Sequence, residues 1–216
     1  MSPSVWKSNL EQFRDEVAST KPVPASVCVS AVCATFALGL LIKVLEITTN
    51  KKGFTGDLGK VQALLGAART TSARVARYAD EDVTAFDSYL NTVRSPKSND
   101  QERKDRKRAM ALALDKVIQV PFDAARVVAS GIDLCAAATG VVPRSLIAEV
   151  GAAAVLLAGA VQGLIVSAEF NLRQLLDDSH GHEEITAQLQ ELDRKVLQQE
   201  DSIRQQVASL MAGKAG

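Results

Sequence analysis

The sequence is poor in aromatic residues, since phenylalanine, tryptophan and tyrosine make up only 4% of its 216 residues. β-Sandwiches and β-barrels usually contain more threonine, tyrosine and phenylalanine than this. No stretch alternates apolar and polar residues for the length of a strand. Alanine, valine and leucine dominate instead, and small aliphatic side chains suit closely packed helices. The composition therefore predicts an all-α fold.

Net charge is absent as well, because 25 Lys and Arg residues balance 25 Asp and Glu residues. Domains that bind nucleic acid or anionic membranes through electrostatics carry an excess of positive charge. We therefore expect no nucleic acid and no membrane surface among the partners.

Cysteine is scarce too. Cys28, Cys33 and Cys135 are odd in number and lie inside apolar runs. This pattern argues against a disulfide framework and favours a reducing compartment. The first 21 residues mix acidic and basic side chains before any apolar run, unlike a signal peptide. We predict a cytoplasmic location.

Two long apolar runs, residues 23–42 and 150–168, approach the roughly 20 residues that a membrane span needs. The first contains proline, three hydroxyl residues and two cysteines, and the second is mostly alanine and glycine around Gln162. Both are therefore weakly hydrophobic on insertion scales. Helices that are apolar on every side also occur inside large bundles and at oligomer interfaces. We favour buried helices over a membrane protein, which would need detergent.

Apolar residues that recur every three or four positions predict six helices. They cover about residues 4–17, 24–48, 57–94, 98–137, 145–176 and 185–210. The predicted N-caps include Ser4, Ser145 and Ser98, the last in a capping box with Gln101. Pro121 predicts a kink or a break in the fourth helix.

These helices predict a bundle around two long central helices, dimeric through its apolar Ala/Gly faces. Residues 1–178 would form the bundle, and residues 179–216 a C-terminal helix that packs on it. Gln199 and Gln206 interrupt the apolar seam of that last helix, so it is either a weak coiled coil or an arm packed on the bundle.

A carboxylate falls on the apolar face of the third helix. Asp82 lies between Ala79 and Phe86 in helical spacing and therefore faces the packed side. A carboxylate in such a place is either paired or functional. An ion pair with Arg106 or Arg126 is the structural alternative to a role in acid–base catalysis.

Two histidines, His180 and His182, lie among several carboxylates in residues 177–184. A metal site there is conceivable, but no ligand pattern of the usual spacing occurs elsewhere in the chain. We predict no metal.

Five stretches carry distinctive residue patterns. They are PVPASVC at 22–28, TTNKK at 48–52, DEDVTAF at 80–86 with PK at 96–97, an Arg-rich helix from 106 that ends in VP at 120–121, and SLIAEVG to EFNL at 145–172. In this order they resemble the cyclodeaminase/cyclohydrolase family of folate enzymes. That family includes the cyclodeaminase half of formiminotransferase-cyclodeaminase and the bacterial methenyltetrahydrofolate cyclohydrolases. The resemblance spans about residues 5–178.

The resemblance implies a helical bundle that forms a homodimer, with a folate site near the subunit interface. The substrate would be a tetrahydrofolate derivative, with no further cofactor and no metal. Cyclodeaminase and cyclohydrolase both act on the same carbon of neighbouring folates, and the sequence leaves the choice between them open.

Candidate catalytic residues also follow from the resemblance. Asp82 and Glu149 take the positions of family acids, one of which would protonate departing ammonia or activate a water. Lys51 and Lys52 match the family's Lys-Lys turn and would hold the glutamate tail of the folate. For Glu149 the helix dipole alone is a sufficient alternative explanation, and two loop lysines need no function.

Substrate-binding candidates are Ser26, Cys28, Asp80 and Asn171, again by their positions in the family patterns. Cys28 replaces a serine of the family near a helix N-terminus, where a thiol can become reactive. The alternative for Cys28 is a small buried hydrophobe.

The chain departs from the family at its glycines. Ala25, Ser26 and Val27 replace three glycines that let backbone N–H groups approach an anionic ligand at a helix start. We expect their side chains to fill that space. Asn50 and Ser167 also replace a family glycine and asparagine. The alternative function is therefore a non-catalytic helical binding or scaffold protein that kept the fold.

Overall fold

The computed structural model describes residues 4–175 and 181–213. The described residues contain two short 3₁₀ helices, at Val5–Lys7 and Arg144–Leu146, and otherwise α-helices joined by loops. The α-helices are α1 (Leu10–Val17), α2 (Ser26–Thr49), α3 (Leu58–Val93), α4 (Asp100–Thr139), α5 (Ile147–Leu175) and α6 (Gly181–Ala212). The described residues include no strand, and the predicted all-α bundle is confirmed.

Helices α2 to α5 form an up-and-down bundle in which α2 packs against α3 and α5, and α4 closes the other side. Contacts at both ends of α2 show that it runs antiparallel to α5. Ser26 at its start contacts Ser167 (Oγ–Oγ 2.7 Å), and Lys43 near its end contacts Glu149 (Nζ–Oε1 2.9 Å). Helix α6 packs against α4 and α5. The proposed domain boundary at 178/179 falls outside the described residues.

The core of the bundle is built from alanine and leucine. Ala31, Ala34 and Ala37 of α2 are fully buried and let its neighbours approach closely, while Leu41 and Leu45 fill the remaining space. This packing accounts for the apolar length of α2 without a membrane.

Two helical stretches, Ser26–Thr49 and Arg144–Arg173, are nevertheless long and apolar enough to cross a membrane by length and composition. In their most apolar windows, 50% and 61% of the residues are buried inside the bundle. Core helices of globular bundles meet the same criterion, so the two stretches are weak support for a membrane protein.

Two helices are capped by residues other than those predicted from the sequence. Asn9, not Ser4, caps α1 and forms a capping box with Gln12, whereas Ser4 caps the preceding 3₁₀ helix. Asn99, not Ser98, caps α4 by accepting from the Glu102 N–H at 2.9 Å. The caps predicted at Ser98 and Gln101 were therefore wrong.

The predicted cap at the start of α5 is also absent. Ser145 lies inside the 3₁₀ helix Arg144–Leu146, and no side-chain cap precedes that helix. Because the 3₁₀ helix runs directly into α5, it supplies the turn that a capping side chain would otherwise provide.

Helix α4 continues through Pro121 without the predicted break. A proline in a helix lacks the N–H that would bond the carbonyl four residues earlier, which is that of Val117. Here the side chain of Asn171 in α5 donates its Nδ2 hydrogen to the Val117 carbonyl at 2.9 Å. The carbonyl that the proline leaves without a helical partner is thus satisfied by a neighbouring helix.

Candidate functional site

A cleft of about 570 Å³ opens where α2 begins, between α3, α4 and the C-terminal half of α5. Four polar side chains line it, and they are Ser26, Asp82, Ser167 and Asn171. Its other walls are apolar and include Val27, Phe86, Val117, Val166 and Phe170. A mostly apolar concavity with a few converging polar groups is the usual form of a small-molecule site.

The start of α2 is capped by a residue from another helix. Ala25 occupies the N-cap position and provides no side-chain hydrogen bond, so the first N–H groups of α2 need other partners. The carboxylate of Asp82 in α3 accepts from the backbone N–H of Cys28, the third residue of the helix. Asp82 therefore holds the helix start against α3.

Asp82 is a carboxyl group with a raised pKa. Burial raises its pKa from 3.8 to about 6, and the hydrogen bond from the Cys28 N–H opposes this rise only in part. A carboxyl group with such a pKa can give or take a proton near neutral pH.

The ion-pair alternative for Asp82 is not found among the described residues. Arg106 donates instead to the Val93 carbonyl at the end of α3 (3.4 Å), and the Arg126 guanidinium lies 5.7 Å from the centre of the Phe122 ring. No described cation forms an ion pair with Asp82. The acidity of Asp82 is thus set by burial and by the α2 backbone.

The hydroxyl groups of Ser26 and Ser167 contact each other across the cleft at 2.7 Å. Ser167 also donates to the carbonyl of Gly163 one turn earlier in α5, at 2.9 Å. Ser167 was noted in the sequence only as a departure from the family pattern. Its four-residue spacing from Asn171 is the signal that places both on one face of α5.

The replaced glycines do not close the cleft. Val27 is buried at 4% exposure in the core, and Ala25 and Ser26 remain exposed at the mouth. All three residues line the cleft, and the expectation that their side chains fill the space left by the glycines stays a prediction.

Cys28 contributes its backbone to the site and not its sulfur. The thiol is fully buried, and its pKa is raised to about 12 by burial first and then by the charges of Asp82 and Asp80. A thiol with this pKa is not a nucleophile at neutral pH. The structure favours the interpretation of Cys28 as a small buried hydrophobe.

Asp80 faces away from the Asp82 cleft and holds the N-terminal segment. Its carboxylate accepts from the Ser4 hydroxyl (2.7 Å) and from the Val5 N–H (2.8 Å). It also borders a second, smaller concavity that includes Lys116 of α4. These contacts give Asp80 a structural role that the sequence pattern did not reveal.

Glu149, Lys51 and Lys52 lie far from the cleft within one chain. Glu149 pairs with Lys43 at 2.9 Å, and Lys43 is about 25 Å along α2 from Ser26 at 1.5 Å per residue. The two lysines follow the end of α2 in an exposed loop. A single subunit therefore brings Ser26, Asp82, Asn171 and the Cys28 N–H together, but not these three residues.

The described residues include no group of three or more His, Cys, Asp or Glu side chains able to hold a metal. His180 and the side chain of His182 lie outside the described part of the chain. The absence of a metal stays a prediction.

Similarity to known proteins matches this architecture. The family described as formiminotransferase-cyclodeaminase matches residues 9–191. A methenyltetrahydrofolate cyclohydrolase of Methylorubrum extorquens is 26% identical over 180 residues, which cover 82% of this chain and 85% of that protein. A formimidoyltransferase-cyclodeaminase of Sus scrofa is 27% identical over 127 residues, which cover 59% of this chain and 24% of that protein.

A solved structure has the same fold. It is a formiminotetrahydrofolate cyclodeaminase from Thermotoga maritima, with a TM-score of 0.75 and 22% sequence identity. The superposition covers 95% of this chain and 96% of that one, so the whole helical arrangement is shared.

Proposed function

The chain belongs to the formiminotransferase-cyclodeaminase family, and on this premise we propose that it is an enzyme acting on a tetrahydrofolate derivative. One observation carries the proposal: a carboxyl group with a pKa of about 6, Asp82, lies in an apolar cleft at the start of a helix. The relatives from Methylorubrum extorquens and Sus scrofa are named for folate chemistry of this kind. No cofactor beyond the folate substrate is proposed.

Asp82 is the proposed acid–base residue. In a cyclohydrolase reaction, ionised Asp82 takes a proton from the water that attacks the methenyl carbon. It returns this proton to the ring nitrogen as the carbon–nitrogen bond breaks, and the remaining hydroxyl proton is lost to solvent. In a cyclodeaminase reaction, N10 attacks the formimino carbon, protonated Asp82 gives its proton to the departing ammonia, and ionised Asp82 then takes the proton that N10 loses. A pKa of about 6 supplies both forms near neutral pH.

The other cleft residues bind and orient the substrate. Ser26 and Asn171 offer polar groups at the rim, while Phe86 and Phe170 form apolar walls suited to a flat ring.

A homodimer is part of the proposal. The outward faces of α2 and α5 carry exposed apolar side chains along their length, including Phe36 (54% exposed), Val155 (44%) and Val166 (66%). Monomeric proteins rarely leave a continuous apolar face of this kind uncovered. Since Val166 also lines the cleft, a second copy seated on this face would border the site.

A two-fold axis through this face gives the distant candidates a role. If the α2 helices of the two subunits pack antiparallel, the end of one lies near the start of the other. Glu149, Lys51 and Lys52 of one subunit then approach the cleft of its partner. Glu149 would act there as the second acid–base group, and the lysines would hold the glutamate carboxylates. Cytoplasmic location is proposed with this metabolic role.

The test is optical. Purified protein is mixed with methenyltetrahydrofolate, and the loss of absorbance is followed against buffer; ammonia release is measured separately with formiminotetrahydrofolate. Accelerated decay without ammonia release from the second substrate identifies a cyclohydrolase, and ammonia release identifies a cyclodeaminase. Asp82→Asn should abolish either activity while the protein stays folded. Neither activity, with no binding of tetrahydrofolate, would contradict the proposal and favour a non-catalytic scaffold.

A further inference from the structure

The hydroxyl hydrogen of Ser26 is already committed to a hydrogen bond within the protein. Ser167 has a single hydroxyl hydrogen, which it donates to the Gly163 carbonyl at 2.9 Å. In the contact between the two hydroxyl groups, at 2.7 Å, Ser26 must therefore be the donor. The hydrogen of Ser26 is used, and only the lone pairs of its oxygen remain for a ligand in the cleft.

The amide group of Asn171 is oriented as well. The Val117 carbonyl can only accept, so the Nδ2 end of the amide must face it, at 2.9 Å. Pro121 makes this contact necessary because it removes the helical partner of that carbonyl. The oxygen Oδ1 therefore lies on the opposite side of the amide group and is an acceptor.

The two acceptors line the same cleft. Ser167 and Asn171 are neighbours on one face of α5 at a spacing of four residues, and Ser26 contacts Ser167 directly. Two acceptors on one wall of the cleft match the two hydrogens that a primary amino group on a flat ring can donate.

Resting on the proposed function, we propose that Ser26 Oγ and Asn171 Oδ1 bind the two hydrogens of the 2-amino group on the pterin ring of the tetrahydrofolate. Ser167 is the positioning residue that turns the Ser26 hydroxyl into an acceptor. The apolar side chains of Phe86 and Phe170 lie beside the ring. This assigns the orientation of the substrate, with its amino end at the start of α2.

The test measures ligand selectivity by calorimetry. Tetrahydrofolate and its 2-desamino analogue, in which hydrogen replaces the amino group, are titrated into the wild type and into the variants Ser26→Ala and Ser167→Ala. At about 1 kcal/mol for each hydrogen bond, the wild type should bind the analogue at least tenfold more weakly. Each variant should weaken tetrahydrofolate binding about fivefold and analogue binding less than twofold.

Two further variants make the result specific. Ser130→Ala removes a hydroxyl that also donates to its own helix (2.7 Å to Val127 O) but lies outside the cleft, and it should change neither affinity. Ser26→Thr keeps the hydroxyl and should bind tetrahydrofolate within twofold of the wild type. Equal weakening of both ligands by Ser26→Ala and Ser167→Ala would overturn the assignment, and so would equal affinity of the wild type for both ligands.

Failure of this assignment differs from failure of the proposed function. A wild type that turns over its folate substrate but shows no preference for the amino group contradicts only the assignment. A wild type that binds no tetrahydrofolate contradicts both.

Discussion

At the scale of single residues, Asp82 combines a structural bond with a shifted pKa. Its folded-state pKa of about 6 exceeds the ordinary value of 3.8. Between these pH values the folded chain binds more protons than the unfolded chain, so stability falls as pH rises from about 4 to 6. Above pH 6 the buried charge is a constant cost. The carboxylate therefore lowers stability at the pH at which it would serve catalysis.

Asp82→Asn should remove that cost, because asparagine cannot ionise and keeps an oxygen that accepts from the Cys28 N–H. At pH 7.5 we expect the variant to be more stable than the wild type by on the order of 2 kcal/mol, and the difference should shrink towards pH 4. Urea unfolding at the two pH values measures this. Asp115→Asn, at an exposed position of α4, is the control. A variant less stable than the wild type at pH 7.5 would show that the charge itself holds α2.

At the scale of helices, Pro121 and Asn171 form a pair. Removing the asparagine side chain leaves the Val117 carbonyl without its partner, at a cost of about 1–3 kcal/mol. In a Pro121→Ala background, the N–H restored at position 121 can bond that carbonyl within α4. Asn171→Ala should then cost less than half as much. Urea unfolding of the four proteins measures the coupling.

Asn91→Ala, at an exposed position of α3, controls for the loss of an asparagine from a helix. An equal cost of Asn171→Ala in both backgrounds would show that the two positions are independent. In that case the continuity of α4 through the proline would need another explanation.

Side chains of the N-terminal segment also bind α3 directly. Trp6, the single tryptophan of the chain, donates its ring N–H to the Ala76 carbonyl at 2.8 Å, and Asp80 holds the adjoining Ser4 and Val5. Asp80→Ala should release the segment, shift tryptophan fluorescence to longer wavelength and lower stability by about 2 kcal/mol.

The control for this prediction is the neighbouring exposed residue, in the variant Glu81→Ala. Unchanged tryptophan emission in Asp80→Ala, together with lost folate binding, would instead support the substrate-binding role that the sequence predicted for Asp80.

Local sequence predicts where the helices lie, but it does not predict features that depend on residues distant in the chain. The ends of α3 were predictable because Asp57 caps it and apolar residues recur through it. The continuity of α4 through Pro121 was not, since the residue that satisfies the freed carbonyl lies 50 positions later in the chain. Asp82 was predictable as a buried carboxylate from its place on the apolar stripe. Its partner was not, because a backbone N–H leaves no mark in the sequence.

At the scale of the whole molecule, the proposed dimer makes a prediction about assembly. Phe36 lies in the exposed apolar face of α2 and is 54% exposed. Phe36→Lys places a charge in the proposed interface, so it should produce monomers in light scattering after gel filtration. Activity should fall as the dimer is lost, because the partner subunit borders the cleft in the proposed dimer.

Leu112→Lys is the matched control, since Leu112 is 66% exposed on α4, away from the proposed interface. It should leave the molecular mass unchanged. A wild type that is monomeric at micromolar concentration would contradict the dimer and leave Glu149, Lys51 and Lys52 without a route to the cleft.

The bond between the Cys28 N–H and Asp82 has a consequence for observation. Because that amide proton is hydrogen-bonded to an ionisable carboxyl group, its chemical shift in a nuclear magnetic resonance spectrum should change as Asp82 gains or loses its charge. The amide is thus an internal indicator for the cleft. It reports the protonation of the proposed acid in the resting protein, and again with a ligand bound, without a single turnover.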